Sequence, residues 1–281
     1  VNQLMEQWKS IAAKQEATER KAAKSKAPPS SSNGPPSTPQ EYRARLVQQK
    51  KELYKDPPVL PPTAVVVETE RAPPPKRNKT TGALSFQSLD KHDDDTALQS
   101  MLQDFHPNLT PEQVLRAGSF GGTYFRSISS AVTNQSYQAK TVLQDTVAPE
   151  WIDGLAASTM LTSQTYRVHI NKYGVKCGGS LGMWESSGWI TSLDPYGWFQ
   201  WYCRFYQGRR STDDVRQISR WLKCAGPKGR FRSQLCNKIL AAPGAKHDDA
   251  SISPVIRQTL LHWGLDITAD ILQKHRKRVG R

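Results

Sequence analysis

The stretch Asp194-Pro-Tyr-Gly-Trp-Phe-Gln-Trp-Tyr-Cys-Arg-Phe-Tyr-Gln-Gly-Arg-Arg210 decides how this chain folds. Seven of the eleven residues from Tyr196 to Tyr206 are aromatic. Aromatic side chains bury large areas, so the run predicts the centre of a core. Its spacing predicts a helix from Pro195 to Gln207, with Asp194 as N-cap and Gly208 as the stop. Trp198, Trp201, Tyr202 and Phe205 share one face, which Phe199 and Tyr206 widen. Only Gln200, Arg204 and Gln207 form a polar stripe, at i, i+4, i+7. A helix this apolar is normally buried centrally, and its stripe must meet water, a partner or a ligand.

Downstream, Ser211 caps a second helix whose first turn holds Asp213 and Asp214, where carboxylates suit the positive end of the helix dipole. Val215, Ile218 and Leu222 read as its inward face; Arg216, Arg220 and Lys223 read as its outward face, up to Gly226-Pro227. A third helix carries Phe231, Leu235 and Ile239 on its apolar side, with Lys228, Arg230, Arg232 and Lys238 around the rest. A fourth runs from Ser253-Pro254 to Trp263-Gly264, and a last short one fades into Lys274-His-Arg-Lys-Arg278.

Upstream, Leu98, Leu102 and Phe105 make a short helical stripe. Thr110-Pro111-Glu112-Gln113 then supplies an N-cap, a first-position proline and a capping-box glutamine for a helix that stops at Gly118. Residues 119–138 are rich in Gly, Ser, Thr and aromatics, which favours extended chain and turns. Phe120-Gly-Gly-Thr123 lacks the Gly-Lys-Ser/Thr ending of a phosphate loop. Tyr166–Val175 predicts a strand or hairpin with Asn171 in its turn, and Leu181–Ser187 a brief helix between Ser180 and Gly188. The expected class is mixed α+β, mainly helical: one compact domain over residues 98–281, with the aromatic helix at its centre.

Residues 1–97 read as a disordered tail rich in Pro, Lys and Ser. Proline clusters at 28–29, 35–36, 57–58, 61–62 and 73–75 interrupt it, and such composition buries too little apolar surface to offset the entropy of ordering. Two helical patterns, Leu4/Trp8/Ile11 and Tyr42/Leu46/Leu53, are too short to stand alone and fit motifs that fold on a protein partner. Pro73-Pro-Pro-Lys-Arg-Asn-Lys79 has the composition of a nuclear-import signal.

The block Met183-Trp-Glu-Ser-Ser-Gly-Trp-Ile190, the run Asp194–Arg210 and Arg220-Trp221 together resemble an uncharacterised protein family. Its members share Gly-Trp-Phe-Gln-Trp-Tyr-Cys-Arg-Phe/Tyr-Tyr followed by Gly-Arg-Arg. The resemblance covers roughly residues 100–265 and implies a single recurring domain. No established activity comes with it, so it carries no catalytic residue across.

Charge is the feature that rises above background. Residues 201–281 hold 17 Lys/Arg against 6 Asp/Glu, whereas residues 96–200 hold 6 against 7. Arg204, Arg209, Arg210, Arg216, Arg220, Lys223, Lys228, Arg230 and Arg232 fall within 29 residues, and seven of the nine are arginine. Planar guanidinium suits phosphate, and phosphate backbones reward clustered cations through counterion release. The reading is therefore a nucleic-acid-binding protein that contacts DNA or RNA phosphates through a basic helical face, without catalysis. A scaffold whose tail recruits protein partners is the alternative, and an unrecognised enzyme is the second. The bland counter-reading stacks the arginines on the aromatic core or pairs them with Asp213, Asp214 and Glu185.

Other classes find little support. No run approaches the ~20 apolar residues of a membrane helix. The opening residues lack a leader pattern and an initiator Met, which makes an intracellular protein, nuclear or cytoplasmic, the expectation, with a few residues missing before Val1. The sequons at Asn78, Asn108 and Asn134 then carry no weight. Cys177, Cys203, Cys224 and Cys236 form no CxxC pair and read as buried hydrophobes. His92-Asp93-Asp94-Asp95 and His247-Asp248-Asp249 read as solvated loop charge rather than metal ligands. His169 reads as structural. No metal, cofactor or catalytic residue is expected.

Overall fold

In the computed structural model, which describes residues 67–89 and 96–280, eleven helices and two short antiparallel strand pairs lie within the compact unit Leu53–Arg281. Strand β1 (Lys76–Arg77) pairs with β2 (Leu84–Ser85), Lys76 opposite Ser85. Helix α1 (Thr96–Leu102) follows and buries Leu98 and Leu102. Helix α2 (Pro111–Ala117) begins with the expected capping box: Thr110 Oγ1 accepts from the Gln113 amide at 3.1 Å, and Gln113 Oε1 accepts from the Thr110 amide at 2.9 Å. It stops at Gly118, whose φ of +89° and approach to the Ile170 carbonyl leave no room for a Cβ.

The hairpin β3 (Ile128–Ser130) and β4 (Gln135–Tyr137) leads into α3 (Ala139–Thr146), α4 (Pro149–Ile152) and α5 (Ala157–Met160). Where a strand was expected over Tyr166–Val175, the chain makes a 3-10 turn, Val168–Ile170. Asn171 explains the difference. Its Nδ2 donates to Tyr166 Oη and the Val175 carbonyl, both at 2.7 Å, and its Oδ1 accepts from the Gly121 amide at 2.8 Å, so one buried amide ties up groups a ladder would have used. Helix α6 (Leu181–Ser186) forms as its cap and stop predict, with Ser180 Oγ accepting from the Met183 amide.

Helix α7 (Trp198–Tyr206) is the hub. Trp201, Tyr202, Cys203 and Phe205 are sealed from solvent, and Phe105 packs within 6.5 Å of the rings of Trp201, Tyr202, Phe205 and Trp221. The helix starts later than expected. Gly197, with φ +87°, is its N-cap residue, and the Asp194 side chain caps nothing. The polar stripe finds partners within the domain. Gln200 Oε1 accepts from the Tyr196 amide at 2.9 Å and its Nε2 donates to Thr146 Oγ1 at 3.3 Å, while Gln207 Nε2 donates to the Thr146 carbonyl at 2.8 Å. The C-terminal end of α3 covers Gln200, while Arg204 stays half-buried and Gln207 exposed at the far end of the stripe.

Around the hub stand α8 (Asp214–Cys224), α9 (Arg230–Ala241), α10 (Pro254–His262) and α11 (Ala269–Arg278). The last of these is a full helix capped by Thr268 rather than a fading tail. In the first turn of α8, Asp214 accepts from Trp201 Nε1 at 2.8 Å and from the amide and hydroxyl of Ser211, both at 2.9 Å. Ser211 thus donates to the acid instead of capping the helix.

The packed chain begins before residue 98. Leu84, Phe86 and Leu89, assigned to the tail by composition, are buried in the core, and Phe86 lies 5.1 Å from the Phe205 ring. Arg210 holds this segment: its Nε and Nη2 donate to the Gln87 carbonyl at 3.0 and 2.7 Å. Val67 bridges Ser211, and the Ala72 amide donates to the Gly208 carbonyl at 2.9 Å. Arg77, in the import-signal-like run, donates to the carbonyls of Gly82 and Asn108 and to Gln113 Oε1. The motifs at Leu4–Ile11 and Tyr42–Leu53 lie outside the described residues, as do residues 90–95.

Candidate functional site

The outward basic ridge expected on α8 does not form. Arg216 is buried and grips Asp213 with both arms of its fork, Nε to Oδ1 at 2.5 Å and Nη2 to Oδ2 at 2.8 Å. Arg220 is buried too, its guanidinium 5.4 Å from the Trp189 ring and 5.7 Å from that of Trp263, with Nη1 donating to Gln217 Oε1 at 3.1 Å. The helix is covered on both sides because Trp189 and its neighbours lie across the face that periodicity assigned to solvent.

The arginines before α8 are likewise engaged. Asp194, fully buried, accepts from Arg209 Nη1 at 2.9 Å, Arg209 Nη2 at 2.6 Å and Arg204 Nη1 at 3.0 Å. Burial pulls the Arg209 pKa down, but the facing Asp194 outweighs it and the net shift is upward. Arg210 has no such carboxylate in its grip. It lies 3.9 Å from the Phe205 ring, and burial lowers its pKa to about 10. Of the nine basic residues singled out by sequence, Lys228 and Arg230 are exposed, Arg204, Lys223 and Arg232 are half-buried, and the other four are buried.

Three of those nine, Arg220, Lys223 and Arg230, meet at a different feature: a cleft of about 840 Å³ between α6, α8, α9, α10 and the segment 120–128. Ten aromatic residues line it, among them Phe120, Trp184, Trp189, Phe231 and Trp263, each of these only half-buried. Arg126 and Lys176 bring its cations to five, and no Asp or Glu lines it. A concavity of this size lined mainly by aromatic side chains has the composition common in ligand sites.

The floor is rigid. His262 stacks on Phe120 at 3.9 Å between centroids. Its Nε2 accepts from the Phe120 amide and from Gln258 Nε2, both at 3.0 Å. The Gln258 amide is itself oriented by the Tyr173 amide, which donates to its Oε1 at 3.1 Å. The proton of the neutral ring therefore sits on Nδ1, and burial lowers the His262 pKa to about 3. With its lone pair taken, His262 is not placed to act as a general base. Phe120 holds φ at +52°, a strained conformation for a bulky residue of the kind that persists where the surroundings over-determine it, commonly at functional sites. Cys177, also on the wall, lies 3.2 Å from Thr259 Oγ1, and burial raises its thiol pKa away from the reactive thiolate.

Sequence reasoning missed Phe120, Arg126, Lys176, Trp184, Trp189, His262 and Trp263 as members of one site. The legible signal was Trp184 and Trp189, two large rings set in Ser- and Gly-rich text that offers no buried helix face. His169 is exposed on its 3-10 turn and lines no part of the cleft. Asp249 accepts from the Ser251 amide and hydroxyl, and no group of three His, Cys, Asp or Glu side chains able to hold a metal occurs among the described residues. His92–Asp95 lies outside them. No helix among the described residues is long and apolar enough to cross a membrane. No protein-family model, curated protein or solved structure matches this chain.

Proposed function

We propose that this protein binds single-stranded nucleic acid, DNA or RNA, in the aromatic cleft rather than along an outer helical face. One observation carries the reading: five cations and ten aromatic residues line a single concave surface on which no carboxylate sits. A ligand that fits this chemistry has flat apolar faces and negative charge together, and a nucleic-acid strand has both. Its bases stack on half-exposed rings at ~1–3 kcal/mol per base, and its phosphates meet the cations of the rim. A duplex hides its base faces, so a duplex would leave the aromatic lining unused.

The volume supports a second reading. Closed sites for small molecules span roughly 300–1,000 Å³, and the cleft falls inside that range, so a ring-bearing organic anion such as a free nucleotide also fits. Titration of tryptophan fluorescence with oligothymidylates of increasing length, with the matching duplex and with the mononucleotide, separates the two. Affinity that rises with length and exceeds that for duplex supports the strand; a mononucleotide that binds as tightly as the longest strand supports the small anion. If strand phosphates meet the rim, Lys223→Ala/Arg230→Ala reduces the log–log salt slope by about 1.4. Failure of every ligand to bind at low salt refutes both readings.

A further inference from the structure

We propose a second, separate site, an oxyanion pocket between α9 and α11, whose ligand is a phosphate group. It is a cavity of about 220 Å³ whose lining includes Arg232, Lys274, Arg278, Asp104 and Asp270, and it does not depend on the reading of the aromatic cleft. Its central observation is Arg232. No hydrogen bond or ion pair reaches its guanidinium from the described residues, and Nε is fully buried without a partner. Leaving buried charged donors unpaired is costly. Burial lowers its pKa and the neighbouring Arg278 pushes the same way, while Cys236 and Asp270 oppose the shift without reversing it.

Arg278 is the second guanidinium. Its Nη2 donates to His275 Nδ1 at 2.9 Å and to Ser233 Oγ at 3.3 Å. The His275 ring is oriented to accept that bond, because its Nε2 donates to Asn237 Oδ1 at 2.8 Å and leaves Nδ1 as the acceptor. Nη1 and Nε of Arg278 have no partner among the described residues.

Of the two carboxylates on the lining, Asp270 opposes the lowering of the Arg232 pKa through space but makes no hydrogen bond or ion pair with either guanidinium. Asp270 is taken by Lys274 at 2.9 Å, and Asp104 is exposed and makes no ion pair within the described residues. Two planar forks from two different helices, one of them half-buried and unpaired, fit a tetrahedral oxyanion that accepts several charge-assisted hydrogen bonds at once. Free phosphate and a phosphate monoester share that chemistry.

The test uses the full chain. Thermal unfolding is followed in sodium phosphate, in glycerol phosphate and in sodium chloride at matched ionic strength. The wild type gains thermal stability with phosphate in a saturating manner that chloride does not reproduce, as preferential binding to the folded state requires. Whichever phosphate source gives the larger gain at equal concentration identifies the form bound. Arg278→Met, at an exposed position, folds with the same cooperative transition and weakens the apparent phosphate affinity by about tenfold or more. Arg232→Met abolishes the response and leaves the phosphate-free melting temperature unchanged or higher, because it removes an unpaired charge; a folding failure of that variant in phosphate-free buffer would mean a structural partner and overturn the site. No gain over chloride in the wild type, or an unaltered response in Arg278→Met, also overturns it.

Discussion

Replacing Asp194 by Ala should unfold this domain partway toward its stability limit, and the structure sets the size of the effect. Asp194 is fully buried and receives three charge-assisted hydrogen bonds, two from Arg209 and one from Arg204. Arg209 is only 5% exposed, so Asp194→Ala leaves a guanidinium in the interior with its bidentate partner gone. Removing one member of a buried pair costs ~3–5 kcal/mol, a large share of the ~5–15 kcal/mol that holds a typical domain together. The second substitution, Arg209→Met, removes the stranded charge, so the double variant should recover ~1–3 kcal/mol relative to additivity. Urea unfolding monitored by tryptophan fluorescence measures all three variants at a common m-value. A loss below ~1 kcal/mol for Asp194→Ala, the level of an exposed pair, or strict additivity in the double variant, would refute the clamp.

Two further outcomes follow from the core and the cleft floor. Trp201, with no exposed surface, should cost ~3–5 kcal/mol on truncation to Ala, measured by the same denaturation. His262 binds its proton only near pH 3 in the fold against about 6.5 when unfolded, so the stability it contributes is complete above pH 6.5 and is lost as pH falls toward 3, at up to about 1.4 kcal/mol per pH unit. Asp214, raised by burial to about 6, acts in the opposite sense, because the cost of burying its charge is relieved as pH drops below 6. The difference between wild type and His262→Gln therefore isolates the histidine: it should shrink from pH 6.5 downward, and a difference independent of pH would contradict the neutral, doubly accepting ring.

Local signals were readable wherever one turn of chain decides the outcome. The capping box at Thr110–Gln113, the Ser180 cap and the start of α10 at Pro254 all follow from neighbouring residues. Asp194 shows where that logic ends. A short acidic side chain before a proline has the composition of an N-cap, and only the fold reveals two arginines, 10 and 15 residues onward, converging on it. Arg216 and Arg220 were misplaced for a related reason. Helical spacing sets them apart from Ile218, yet Trp189 covers that side from another part of the chain. Likewise, Phe86 sits in Pro- and Lys-rich surroundings that hide its place beside Phe205. The cleft was the least legible feature, since its walls come from segments as distant as Phe120 and Trp263.

The central claim is that the aromatic cleft, and not the outside of α8, is the surface that meets nucleic acid. Photocrosslinking of a thiothymidine-substituted oligothymidylate to the full chain, with the adducts mapped by mass spectrometry, tests it directly. The account predicts adducts concentrated on Trp184, Trp189, Phe231 and Trp263, suppressed by excess unlabelled strand. Competable adducts that instead map outside the cleft, or no competable adduct at all, would contradict it.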